Sequence, residues 1–121
     1  MMMTTQQIAD RLAELCGKGD FEKAQKELFA EDAVSIEPQP SPGFEKETKG
    51  LEAILEKGRQ FNSMMQEAHS INISDPIVAG NAIAIGLHMD VTMESRGRST
   101  MSEICVYEVK DGKIISEHFF W

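Results

Sequence analysis

The chain has 121 residues, 41% of them hydrophobic, enough to bury one sizeable core. Twenty acidic residues against 12 basic ones give a formal charge of −8, spread evenly over both halves. Such a surface repels phosphate backbones and anionic membranes, so neither nucleic acid nor a membrane is expected as a partner.

Two cysteines, Cys16 and Cys105, stand far apart without metal-ligand spacing. They are expected as free thiols in a reducing, cytoplasmic compartment. The opening Met1–Gln7 lacks the basic-then-apolar order of a secretory signal. The longest apolar stretch, Ala82 to Met89, is under half a membrane span.

In chain order, Thr4 or Thr5 can cap a first helix, with Gln7 placed for a capping box. Ile8, Leu12, Leu15 and Cys16 then recur at helical spacing, and Gly17-Lys18-Gly19 ends the run. Asp20 is the expected cap of a second helix that buries Phe21, Ala24, Leu28 and Phe29. Ala33 to Glu37 reads as a short strand stopped by Pro38, and the Pro-rich, charged stretch to Gly50 reads as a loop. A third helix follows, with Leu51, Ile54, Leu55, Gly58, Phe61, Asn62 and Met65 on one face, Gly58 allowing close approach of a sheet. From His69 the period drops to two. His69, Ile71 and Ile73 form a strand, and Ile83 to Met93 a long one with a single buried face. Glu94 to Arg98 is a turn, Met101 to Val109 returns, and Asp111-Gly112 signals a hairpin into Ile114 to Trp121. The order is ααβαββββ, read as one domain over residues 1–121.

Leu28-Phe29-Ala30-Glu31-Asp32-Ala33-Val34, after Gly19-Asp20, resembles a helix-to-strand junction of the nuclear transport factor 2-like superfamily. Gly50-Leu51-Glu52-Ala53-Ile54 is similar to the start of that superfamily's third helix, and Tyr107 to Ile114 to its last hairpin. Within the superfamily the resemblance is to the SnoaL-like group. It implies a cone-shaped α+β barrel, three helices packed in a curved, mostly antiparallel sheet around one pocket. It does not select a reaction, because the superfamily spans isomerases, cyclases, dehydratases, hydrolases and binding modules.

The same resemblance places Glu37 where ketosteroid isomerases carry their carboxylate base. It also places Leu12 and Cys105 where those enzymes carry oxyanion donors, and neither can donate comparably. Steroid isomerisation by that route is therefore not expected. By strand parity Glu103, Cys105, Tyr107 and Val109 share a face, as do Ile115, Glu117, Phe119 and Trp121. Aligned to the superfamily, both faces turn toward the pocket. Glu103 and Glu117 would then enter an apolar chamber with Phe61, Met64, Met89, Phe119 and Trp121, where burial raises a carboxylate's pKa. His69, placed on the same side as Ile71, is the candidate proton partner.

The expected function is a small-molecule pocket, acting on a small, largely apolar oxygenated compound. As an isomerase, cyclase or lyase it would work by proton transfer through Glu37, Glu103, Glu117 and His69. Cys105, Tyr107 and the apolar residues above would contact the substrate; no cofactor and no metal are expected. The alternative is a non-catalytic ligand-binding or dimerisation module of the same fold. His88 and Asp90 lie two apart on one face but lack a third metal ligand nearby, so an outer surface is the better reading. A homodimer is expected through the flat outer surface of Ala84, Gly86, His88 and Thr92.

Overall fold

Thr4 closes the capping box at the head of the first helix. Its hydroxyl accepts from Gln7 N at 3.1 Å, and Gln7 Oε1 accepts from Thr4 N at 2.9 Å. In this computed structural model, which describes residues 2–121, α1 runs Thr5–Gly17 and buries the expected Ile8, Leu12, Leu15 and Cys16, with Ala9. Helix α2, Phe21–Leu28, starts after Asp20, but the Asp20 side chain makes no capping bond. The chain then turns straight into β1, Phe29–Ile36, four residues earlier than the apolar pattern suggested.

The stretch to Gly50 contains a short strand that its prolines and charges had hidden, β2, Glu47–Lys49, paired antiparallel to β1. Gly50 then starts α3, Leu51–Met64, from φ 92° and ψ 143°. That conformation is essentially closed to residues with a Cβ. Gly50→Ala is therefore expected to cost about 1–3 kcal/mol of stability, measurable by chemical denaturation; an unchanged midpoint would contradict it. A side chain at Gly58 would meet Gln25 of α2 at 3.9 Å, so this glycine faces a helix and not the sheet.

The rest of the chain is strand: β3 Met65–Ile73, β4 Ile77–Ala79, β5 Ala82–Met93, β6 Gly97–Lys110 and β7 Lys113–Phe120. Asp111 and Gly112, at φ 52° and 75°, form the tight β6–β7 turn. Sheet order is β2-β1-β7-β6-β5-β3, with β4 against β5. All neighbours pair antiparallel except β1 with β7. The odd residues of β5 from Ile83 to Met93 are all buried against the helices, as alternation required.

Two register shifts decide which side chains reach the interior. Val109 pairs with Ile114 while Glu108 pairs with Ser116, so Ile115 is an extra residue on β7. Ile114, fully buried, takes the inward place expected of Ile115, and the expected parity resumes at Glu117. On β3, Ala68 pairs with Val91 and Ser70 with Asp90, leaving His69 as the extra residue.

Candidate functional site

Three strands and one helix bring polar groups together at one edge of the core. Ala33, Ser35 and Glu37 alternate inward at the end of β1, and Ser35 is fully buried. Its partner across the parallel β1–β7 pairing is Glu117, 3% exposed. On β6, Glu103, Cys105 and Tyr107 face the same way, with Tyr107 paired to Glu117 and Cys105 to Phe119. From α3 comes Lys57, three residues after buried Ile54 and four before Phe61, so it points inward.

Lys57 ties the group together. Its Nζ donates to Ser35 Oγ at 2.6 Å and to Glu37 Oε1 at 3.3 Å, and lies 5.4 Å from the centre of the Phe119 ring. The other oxygen of Glu37 accepts from Trp121 Nε1 at 3.2 Å. Both oxygens of Glu37 therefore have donors. Cys105 Sγ donates to Glu103 Oε1 at 3.8 Å.

Removing carboxylates from water disfavours their charged form. Burial pushes Glu117 up to about 7, with repulsion from Glu37 and Glu103 adding, while Lys57 and the Ser35 hydroxyl pull the other way. Glu103 is likewise pushed up to about 7 by burial and by Glu37, against the Cys105 thiol and Lys57. Burial, then the nearby carboxylates, also raises the Cys105 thiol, and burial raises the Tyr107 phenol; both stay neutral at physiological pH. Cys16, pushed up to about 12 by burial and Glu117, is no nucleophile either.

Of the residues expected at the site, Glu37, Glu103, Cys105, Tyr107, Glu117 and Phe119 gather here. Met89 is buried in the core, and Phe61 and Met64 pack against its edge. Trp121 does not enter the interior: it follows the last paired residue of β7, is 55% exposed, and reaches back to Glu37 from the rim. His69 is also placed differently from expectation. As the extra residue of the β3 bulge it turns to the outer face, where Nε2 meets Thr92 Oγ1 at 2.7 Å. On that face His88 Nδ1 bonds Ser102 Oγ at 2.9 Å, and Asp90 takes two bonds from Arg98 at 3.0 and 3.1 Å. Two depressions, of about 380 and about 430 Å³, lie over this outer face and beside β2 and α3; neither is lined by Glu103 or Glu117. Lys57 and Ser35 were missed. The spacing of Lys57 from Ile54 and Phe61, and the parity of Ser35 with Ala33 and Glu37, were the signals available.

The sequence matches the SnoaL-like domain family over residues 3–121. The chain belongs to that family. It is also similar to a Mesorhizobium loti protein named as a prospective SnoaL-like polyketide cyclase, with carbohydrate phosphatase in brackets. Identity to that protein is 33% and the TM-score 0.91, covering 98% of this chain and 100% of the other. A cystatin-like-fold protein from Xanthomonas campestris has 18% identity and a TM-score of 0.81, covering 98% and 90%. TerC, crystallised with polyporic acid, has 13% identity and a TM-score of 0.77, covering 97% and 90%. At those identities the last two share the fold of this SnoaL-like chain and no more. No curated protein matches the sequence. No helix among the described residues is long and apolar enough to cross a membrane.

Proposed function

We propose that this SnoaL-like protein is a cofactor-independent isomerase or cyclase acting on a small, largely apolar compound with a carbonyl group. One observation carries the reading: two carboxylates, Glu103 and Glu117, face the same interior from adjacent strands and both titrate near neutrality. Around pH 7 each of the two is partly protonated, so one member can be base while the other is acid. The ionised carboxylate takes a proton from carbon beside the carbonyl, and the C–H electrons pass into an enolate. The protonated carboxylate then returns a proton elsewhere in the substrate. That completes an isomerisation, or, after the enolate carbon has attacked a second carbonyl, a ring closure. The polyketide-cyclase name of the Mesorhizobium loti relative supports the same class of substrate. Glu37, with a donor on each oxygen, serves as a fixed counter-charge in this scheme rather than as the base.

A suitable probe is deuterium exchange at the C1 protons of 2-tetralone, followed by proton NMR. The wild-type chain should accelerate exchange, with the rate changing through a midpoint near pH 7. Glu103→Gln and Glu117→Gln should each lower it by about 100-fold or more. Exchange unaltered in both variants would end the reading. Binding of 2-tetralone without exchange would assign the carboxylates to ligand orientation alone.

We also propose that two copies associate through the outer face of the sheet. The stripe concerned runs across β4, β5, β6 and β7. Ile77 pairs with Ala84, Ala84 with Val106, Gly86 with Ile104, and Ile104 with Phe120. The expected Thr92 and His88 are instead engaged by His69 and Ser102, which moves the contact toward β6 and β7.

A further inference from the structure

Three carboxylates in the cluster, Glu37 just after β1, Glu103 on β6 and Glu117 on β7, face one ammonium, Lys57 on α3. The remaining titratable groups near the pair are Cys16 from α1 and Cys105 and Tyr107 from β6, all neutral. A lysine on a helix ordinarily extends its ammonium into water. Lys57 does the reverse: its side chain is only 16% exposed and its head lies on Ser35, Glu37 and Phe119. Desolvating an ammonium is unfavourable unless nearby anions compensate. Glu37 supplies one such anion directly. Ser35 supplies a link toward a second, since its hydroxyl accepts from Lys57 and it stands opposite Glu117 across the parallel strands.

We infer that Lys57 and Glu37 form a positioning pair of opposed sign: Lys57 keeps negative charge on the facing carboxylates, and Glu37 both anchors Lys57 and limits its effect. Neither residue needs to touch the reacting atoms. The pair sets how many protons Glu103 and Glu117 hold between them, which a proton-transfer site must control. This inference rests on the proton-transfer reading of those two carboxylates.

Its test needs no substrate. The full chain, labelled with ¹³C at glutamate carboxyls, is titrated by NMR as wild type, Lys57→Met, Lys57→Arg, Glu37→Gln and the Lys57→Met/Glu37→Gln double variant. An opposite charge within about 4–6 Å moves a carboxylate midpoint by about 1–3 units. Lys57→Met should therefore shift both midpoints upward, that of Glu117 by about one unit and that of Glu103 by less. Glu37→Gln should shift them downward, Lys57→Arg should hold them near wild type, and the double variant should fall between the two singles. A merely structural lysine would not give shifts of opposite sign. Unmoved midpoints in folded Lys57→Met, or shifts of the same sign in Lys57→Met and Glu37→Gln, would overturn the inference. If Lys57→Met does not fold, Glu37→Gln decides: a downward shift supports the pair and an unmoved midpoint overturns it. Wild-type midpoints at ordinary carboxylate values would defeat the proton-transfer reading, and this inference with it. Midpoints near 7 that ignore Lys57 would remove this inference alone.

Discussion

Raising the pH from 5 to 8 is expected to destabilise the protein, and Glu117→Gln is expected to remove the share that Glu117 contributes, Glu103 (also pushed up to about 7) carrying the rest. The folded-state pKa of Glu117 lies near 7, above the ordinary 4.5 that it regains on unfolding. Between those values the native state holds a proton that the unfolded chain releases. Stability from this group is complete below about 4.5 and declines as the pH rises through 7. The shift from 4.5 to about 7 is about 2.5 units; at about 1.36 kcal/mol per unit, about 3 kcal/mol is at stake. Glutamine has nearly the same shape and no charge to desolvate. Glu117→Gln should melt close to wild type at pH 5 and about 10 °C higher at pH 8. The opposing contribution from Glu22, Glu27 and Asp90, whose pKa values are lowered by Lys26, Arg11 and Arg98, is small because these pairs are in water. Equal melting temperatures for wild type and Glu117→Gln at pH 8 would show that Glu117 bears no buried charge. A variant that is more stable but inactive would show a stability cost tied to function: a carboxylate poised for proton transfer is held in surroundings that do not suit its charge.

Much of the fold was legible because its signals are periodic. Ile83 to Met93 alternate over a whole strand, Ile8, Leu12 and Leu15 repeat over a helix, and Asp111-Gly112 has the backbone freedom a tight turn needs. The site was only half legible. Parity placed Glu103 and Glu117 inside, since β6 is regular along that stretch and the β7 bulge at Ile115 comes before Glu117. Parity failed at His69 for the same kind of reason in reverse. One extra residue in β3 turned its ring outward, and neither a glycine nor a proline marks the bulge. Lys57 was passed over because lysine on a helix is usually solvated. Its inward place depends on carboxylates supplied by strands 20 or more residues away in the chain, which no local pattern displays. β2 and β4, three residues each, are too short to show any period.

Ile104→Asp and Phe120→Asp should each convert the protein from dimer to monomer while leaving the fold intact. The two side chains are register partners, 54% and 53% exposed, with Ile77 at 71% on the same face. His118 lies beside Phe120, with ring centres 6.4 Å apart and ring planes tilted by 33°. Exposed apolar side chains are unremarkable singly, but a run of them on β4, β6 and β7, with only Ala84 and Gly86 of β5 between, is a surface that water does not favour. The proposed dimer needs no other partner, because a two-fold axis brings each residue of the stripe against the same stripe. In such a contact each substitution acts twice. Burying an isoleucine or phenylalanine side chain is worth about 1.5–3 kcal/mol, so losing two is about 3–6 kcal/mol and weakens association by about 100-fold or more. Sedimentation velocity at micromolar concentration should show wild type as dimer and both variants as monomer. Because Glu103 and Glu117 face the opposite side of the same strands, their titration midpoints should be unchanged in the monomers. A wild-type chain that sediments as a monomer would leave the stripe without the partner assigned to it. Shifted midpoints in the variants would mean that the two faces of the sheet are coupled through the strands that carry both.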